Sequence, residues 1–118
     1  MNPTLSIAAS GMRYASDLLG VTANNVANTL TDGFKASRLT AEDVRGGGVR
    51  GVLSRDNTSG PMVPDLDGDH EGLMRELSNV DLETEAVSTI VSLRSFEANA
   101  AVFKTAADMA GVLFNRRA

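Results

Sequence analysis

The sequence predicts a mainly α fold: long N- and C-terminal helices forming a coiled-coil-like pair, joined by a short irregular segment with a β-hairpin. Three observations predict it. Apolar residues recur at spacings of three and four over the first thirty positions. The same repeat runs unbroken through the last third. Between them, glycine, proline and aspartate interrupt every periodic run. The expected segments are an N-terminal helix over 1–30, a strand and loop middle over 35–77, and a C-terminal helix over 78–115. Together they make one domain of 118 residues.

The first helix opens on Asn2, a good N-cap residue. Pro3 follows at the first helical position, where its missing N–H does no harm. Leu5, Ala8, Met12, Ala15, Leu19, Thr22 and Val26 then form a heptad seam. The helix is expected to end between Asn28 and Leu30, with Gly33 free to take a positive φ just beyond. Its last turns are unusual. Asn24, Asn25 and Asn28 crowd together although asparagine is a poor helix former, because its amide competes for backbone hydrogen bonds.

The C-terminal seam is longer: Leu82, Ala86, Thr89, Leu93, Phe96, Ala100, Phe103, Ala107, Ala110 and Phe114, widened by Val87 and Ile90. Ser78 and Asp81 fit a capping box, and Glu83 and Glu85 add negative charge at the positive end of the helix dipole. At 1.5 Å per residue the two helices would be roughly 40 and 50 Å long. Helices of that length in so short a chain must pack on each other, on other copies, or both.

In the middle, the triple glycine Gly46–Gly48 precedes Val49, Val52 and Leu53, which read as a short strand and a candidate hairpin. Ser59 to Gly72 reads as a turn-rich loop.

Composition excludes several functions. Lys+Arg is 11 against Asp+Glu 15, a net charge of −4, whereas nucleic-acid binding wants a basic face. The absence of Cys removes disulfides and thiolate chemistry, and the single His70 cannot form a histidine cluster. No apolar run reaches the roughly 18 residues of a membrane span. The start MNPTLSIAASGM has no Lys or Arg before its apolar stretch, so it lacks the basic region of a secretory signal peptide. The polar faces carry too few basic residues for a membrane-surface helix.

Two local patterns invite a chemical reading. Asp65, Asp67, Asp69 and Glu76 fall at positions 1, 3, 5 and 12 of an EF-hand loop, but His70 stands where the sharp turn requires Gly, and Pro64 denies the loop an entering helix. A plain acidic loop is the better reading. His70 beside Asp69 and Glu71 has no placed nucleophile or orienter, so no enzyme, cofactor or metal site is expected.

The asparagine stretch and the last helix, taken together, resemble the bacterial flagellar rod, hook and hook-associated axial proteins. The N-terminal block is Ser10-Gly11-Met12, then Ala23-Asn24-Asn25-Val26-Ala27-Asn28, then Thr31-Asp32-Gly33-Phe34-Lys35. The C-terminal block is Ser78-Asn79-Val80-Asp81, then Arg94-Ser95-Phe96-Glu97-Ala98-Asn99, followed by Thr105-Ala106. Weaker matches at Gly46 to Arg55 and at Pro64 to Gly68 bring the coverage to about half of the chain. The short middle is similar to the small proximal-rod type. Leu30 departs from the pattern, since the family often has Asn there.

The resemblance implies a structural subunit of the basal-body rod that self-assembles through its terminal helices. It also implies export by the flagellar type III route without a cleaved signal peptide, other rod and axial subunits as partners, and location in the periplasm-spanning rod. The free protein is expected to be partly unfolded at its ends or oligomeric, because Ala-rich seams bury little area. Expected subunit-packing residues are Met12, Leu19, Asn24, Asn25, Val26, Asn28, Leu93, Phe96, Asn99 and Phe103. Leu19, Val26, Leu93, Phe96 and Phe103 are expected to hold the helices together, and the amides to bond across subunits or cap the helix end. The competing reading is a coiled-coil oligomerisation or adaptor module unrelated to flagella. It accounts for the heptads but not for the paired motifs.

Overall fold

The computed structural model describes residues 2–69 and 72–117. His70 and Glu71 lie outside the described residues. Helix α1 spans Pro3–Ala27. Asn2 caps it, its side-chain oxygen accepting from the Thr4 N–H at 2.9 Å. Asn28 closes it, its backbone N–H reaching the Asn24 and Asn25 carbonyls at 3.2 Å. The chain turns away through Gly33, whose φ is 70°.

Helix α2 spans Leu82–Arg117. Its cap differs from the expected box. Asp81 itself is the cap: its carboxylate accepts from the Glu83 N–H at 3.1 Å and from the Thr84 hydroxyl at 2.8 Å. Ser78 turns back to the Val80 N–H. The physical reason is that the helix begins one residue after Asp81, which places its side chain over the N–H of the second helical residue.

The helices run antiparallel: Gly11 faces Asn99, and Asn25, farther along α1, faces Glu85, earlier along α2. With 25 and 36 residues they are about 38 and 54 Å long. Thr4 shares a cleft with Val102, Thr105 and Met109, so the last turns of α2 extend past the start of α1. The molecule measures 80 × 24 × 18 Å with a radius of gyration of 21.0 Å, where a compact chain of this length would have about 13 Å. It is rod-shaped.

Its interior is made of small residues. The buried apolar residues are Ala8, Ala15, Ala36 and Ala106. Around them lie the buried polar residues Thr22, Asn25, Glu85 and Ser92. Gly11 is also buried. The facing lines are therefore Ala8, Ala15 and Thr22 on one helix, and Glu85, Ser92, Asn99 and Ala106 on the other. Small side chains let the backbones approach closely, which is how so little apolar mass closes a helix pair. On α1 the small members of the expected seam, Ala8, Ala15 and Thr22, form this contact, while its larger members and the expected α2 seam sit to one side. Leu19, Val26, Leu93 and Phe96 are all partly exposed, at 38%, 46%, 49% and 44%. The offset arises because the tightest approach selects the smallest residues, leaving larger ones on the flank.

Two small antiparallel sheets fill the middle. Strand β1 (Ser37–Asp43) pairs with β2 (Val49–Arg55), Ser37 opposite Arg55 and Asp43 opposite Val49. The triple glycine forms their turn with φ of 98°, 107° and 99°, a conformation only glycine adopts without strain. β2 and the hairpin match expectation; β1 lies in the acidic stretch SRLTAED, which carries little strand signal. The expected turn-rich loop holds a third strand, β3 (Met62–Pro64), paired with β4 (Met74–Glu76). No described helix is long and apolar enough to cross a membrane.

Candidate functional site

The richest polar cluster lies where the two helices meet the hairpin. The asparagine run at the end of α1 aims Asn25 inward, and its residue is 0% exposed. The Asn25 amide treats Ser37 as a neighbouring strand would. Its nitrogen donates to the Ser37 carbonyl at 2.9 Å, and its oxygen accepts from the Ser37 N–H at 2.9 Å. The same nitrogen donates to Glu85 Oε1 at 3.2 Å. Arg38 donates to that carboxylate at 2.6 Å. Glu85 is 1% exposed, and no buried side-chain polar atom among the described residues lacks a partner. A buried charge of this kind survives only because it is both paired and hydrogen-bonded.

A second asparagine grips the other side of the hairpin base. Asn79 accepts from the Ala36 N–H at 2.7 Å and donates to the Asp56 and Thr58 carbonyls at 2.8 and 2.9 Å. Asn25 on α1 and Asn79, in the segment leading into α2, thus hold the first residue of β1 and the residue just before it. Beside them Lys35 pairs with Glu76, which also accepts from the Gly60 N–H at 2.8 Å. The Lys35 hydrogen bond, then the Gly60 N–H and the Lys35 charge, hold the Glu76 carboxyl below its usual pKa. The Thr58 hydroxyl and N–H do the same for Asp56. Glu76 is therefore committed to Lys35 and Gly60 rather than to Asp65 and Asp67. Among the described residues no group of three or more acidic or histidine side chains is placed to hold a metal.

The second feature is apolar. Ala15, Ser16, Leu19, Ser92, Leu93 and Phe96 line a groove of about 220 Å³ along one flank of the helix pair. Beyond the groove the overhanging end of α2 exposes Met109, Leu113 and Phe114, the last two at 67% and 76%.

The expected packing residues fall into distinct settings. Leu19, Leu93 and Phe96 line the flank groove. Met12 and Phe103 are half-buried, and Val26 is exposed. Asn24 is exposed. Asn25 spends its amide inside its own chain. Asn28 closes α1, donating to the Asn24 carbonyl at 2.9 Å and accepting from the Thr31 hydroxyl at 3.0 Å. Asn99 packs against Gly11 and donates to the Ser95 carbonyl at 2.8 Å. Glu85, Arg38 and Asn79 were not foreseen as site residues. The sequence does carry a sign of Glu85: Glu85, Ser92, Asn99 and Ala106 repeat every seven residues, a polar and small line parallel to the apolar one.

Comparison with known families adds one finding. Residues 72–116 match the family model described as flagellar basal body rod FlgEFG protein, C-terminal. That segment, well under half of the chain, is similar to the C-terminal region of the flagellar rod family. The match covers strand β4, the Asn79 clamp and almost all of α2. The description places that family in the flagellar basal-body rod. A search of curated proteins gives no match.

Proposed function

We infer that this protein is a structural subunit of the flagellar basal-body rod, of the small proximal type, and that it assembles side by side with other rod subunits and with itself. One observation carries the reading. The segment that matches the rod family is the helix whose large apolar side chains are left exposed, while its small and polar face is spent on α1. A helix pair so arranged is closed within the chain and still sticky outside it. Contiguous exposed apolar surface marks a protein interface. The flank groove with Leu19, Leu93 and Phe96, and the overhang of α2, are the surfaces offered to neighbours. Subunits stacked through different surfaces make an open helical array, which is what a rod requires.

The motifs at both ends of the chain support the same reading, as does the rod shape of the molecule. The family's expected export route is the flagellar type III pathway. The test is deletion of the gene in its host, followed by electron microscopy of basal bodies and a motility assay. Basal bodies arrested before the distal rod, restored by a plasmid copy, are the expected result. Intact flagella in the deletion strain would overturn it.

A further inference from the structure

The helix seam poses a problem of register. Ala8, Ala15 and Thr22 face Glu85, Ser92, Asn99 and Ala106, so each helix repeats small residues every seven positions. Sliding α2 along α1 by one heptad, about 10.5 Å, would again set small residues against small residues. The Ala and Ser contacts do not oppose that slip; the packing of Asn99 over Gly11 is the one steric contact that does. Beyond that packing contact, one buried point of the seam among the described residues is different in kind, because it is polar and charged. Asn25 on α1, Ser37 and Arg38 on β1, and Glu85 on α2 meet there, and no buried side-chain polar atom among the described residues lacks a partner.

We propose that Asn25, Glu85 and Arg38 are the register-determining residues of the helix pair, acting as a key that closes only when α1, the hairpin and α2 are all in place. In the register slipped by one heptad, Ser92 would lie beside Asn25. Its hydroxyl is too short to meet both the amide and the Arg38 guanidinium. Glu85 would leave its partners while Arg38 kept none. The penalty falls on the slipped states and not on the native one, as with a single buried asparagine that fixes the register of a coiled coil. Because Ser37 and Arg38 belong to β1, the key also ties hairpin docking to helix pairing.

The absence of cysteine from the chain makes the test direct. Leu19→Cys with Leu93→Cys places two thiols in the same flank groove and reports the native register. Leu19→Cys with Ala100→Cys reports the register slipped by seven. Each pair is oxidised in dilute full-length protein and the cross-linked monomer is quantified. With the key intact, the native pair forms at least tenfold more readily than the slipped pair. In Asn25→Ala/Glu85→Ala protein that preference falls at least tenfold while the helical circular dichroism is kept. Glu85→Gln, which keeps the acceptor for Asn25 but loses the charge facing Arg38, gives an intermediate ratio. Unchanged native-only cross-linking in the double variant overturns the proposal. So does loss of helicity in both the double and the Glu85→Gln variants, which would make the cluster a general stabiliser.

Discussion

Gly11 of α1 and Asn99 of α2 touch across the helix pair so closely that a Cβ on Gly11 would lie 2.4 Å from the Asn99 side-chain oxygen. The contact joins the Ser10-Gly11-Met12 block to the Arg94–Asn99 block, two motifs nearly ninety positions apart in sequence. It explains why one motif contains glycine where the other contains asparagine.

Gly11→Ala should therefore destabilise the helix pair, although alanine is the better helix former. Overpacking in a closed interface costs about 1–3 kcal/mol, more than the roughly 1 kcal/mol gained in helix propensity. Thermal unfolding followed at 222 nm checks the sign. A higher midpoint in the variant would contradict the packing account.

Asn25→Ala removes the amide that pairs with Ser37 and Glu85. Two buried backbone groups and a carboxylate lose partners, at a cost of about 1–3 kcal/mol for each group left unsatisfied. Asn24→Ala, at an exposed position of the same run, should change stability by no more than about 0.5 kcal/mol. Urea titration of both variants separates the two asparagines. Equal losses would show that the run acts as a unit.

The Lys35–Glu76 contact makes the base of the β3–β4 sheet acid-sensitive. The Glu76 carboxyl is held below its usual pKa in the folded protein. Its stabilising contribution is therefore complete above the unfolded value of about 4.3 and is lost as pH falls through the lower folded value. Asp56, lowered by Thr58, adds to the trend in the same direction. Urea midpoints measured from pH 7 down to acid should fall on that side, and Glu76→Gln should flatten the decline. An identical acid profile in Glu76→Gln would remove Glu76 as its source.

Leu93→Ser/Phe96→Ser tests the flank groove. Both residues are about half exposed, so the folded monomer should lose little stability. If neighbouring subunits seat there, rod assembly and swimming should fail while the isolated protein keeps its helical signal and melts within a few degrees of the parent. Normal swimming halos from the variant would mean that the groove is not an interface.

The helices and the hairpin at the triple glycine were legible in the sequence because each leaves a periodic or conformational trace. Heptad spacing sets helix length, Asn2 and Pro3 set the start of α1, and three consecutive glycines force a turn before Val49. Strand β1 left no such trace. Its residues are mostly polar, with only Leu39 and Ala41 apolar, and it is a strand because β2 and Asn25 supply partners for its backbone. The C-terminal block that matches the rod family was likewise visible, as was the asparagine run at the other end, but their physical content was not. Asn25 and Asn28 look equivalent in sequence, yet one clamps a strand and the other closes a helix.

What the sequence by itself determined is therefore the pair of helices and which of their residues are apolar. Which face closes the pair was decided only by the tertiary structure. Apolar periodicity marks the residues that avoid water, and it points to Leu19, Leu93 and Phe96. It also included Ala8 and Ala15, but close helix approach keeps only such small side chains at the contact and adds Gly11 and Ala106, together with a polar cluster whose partners lie on three separate elements. Those partners are far apart in the chain, and only folding brings Asn25, Arg38 and Glu85 within hydrogen-bond distance, leaving the apolar line on the outside of the rod.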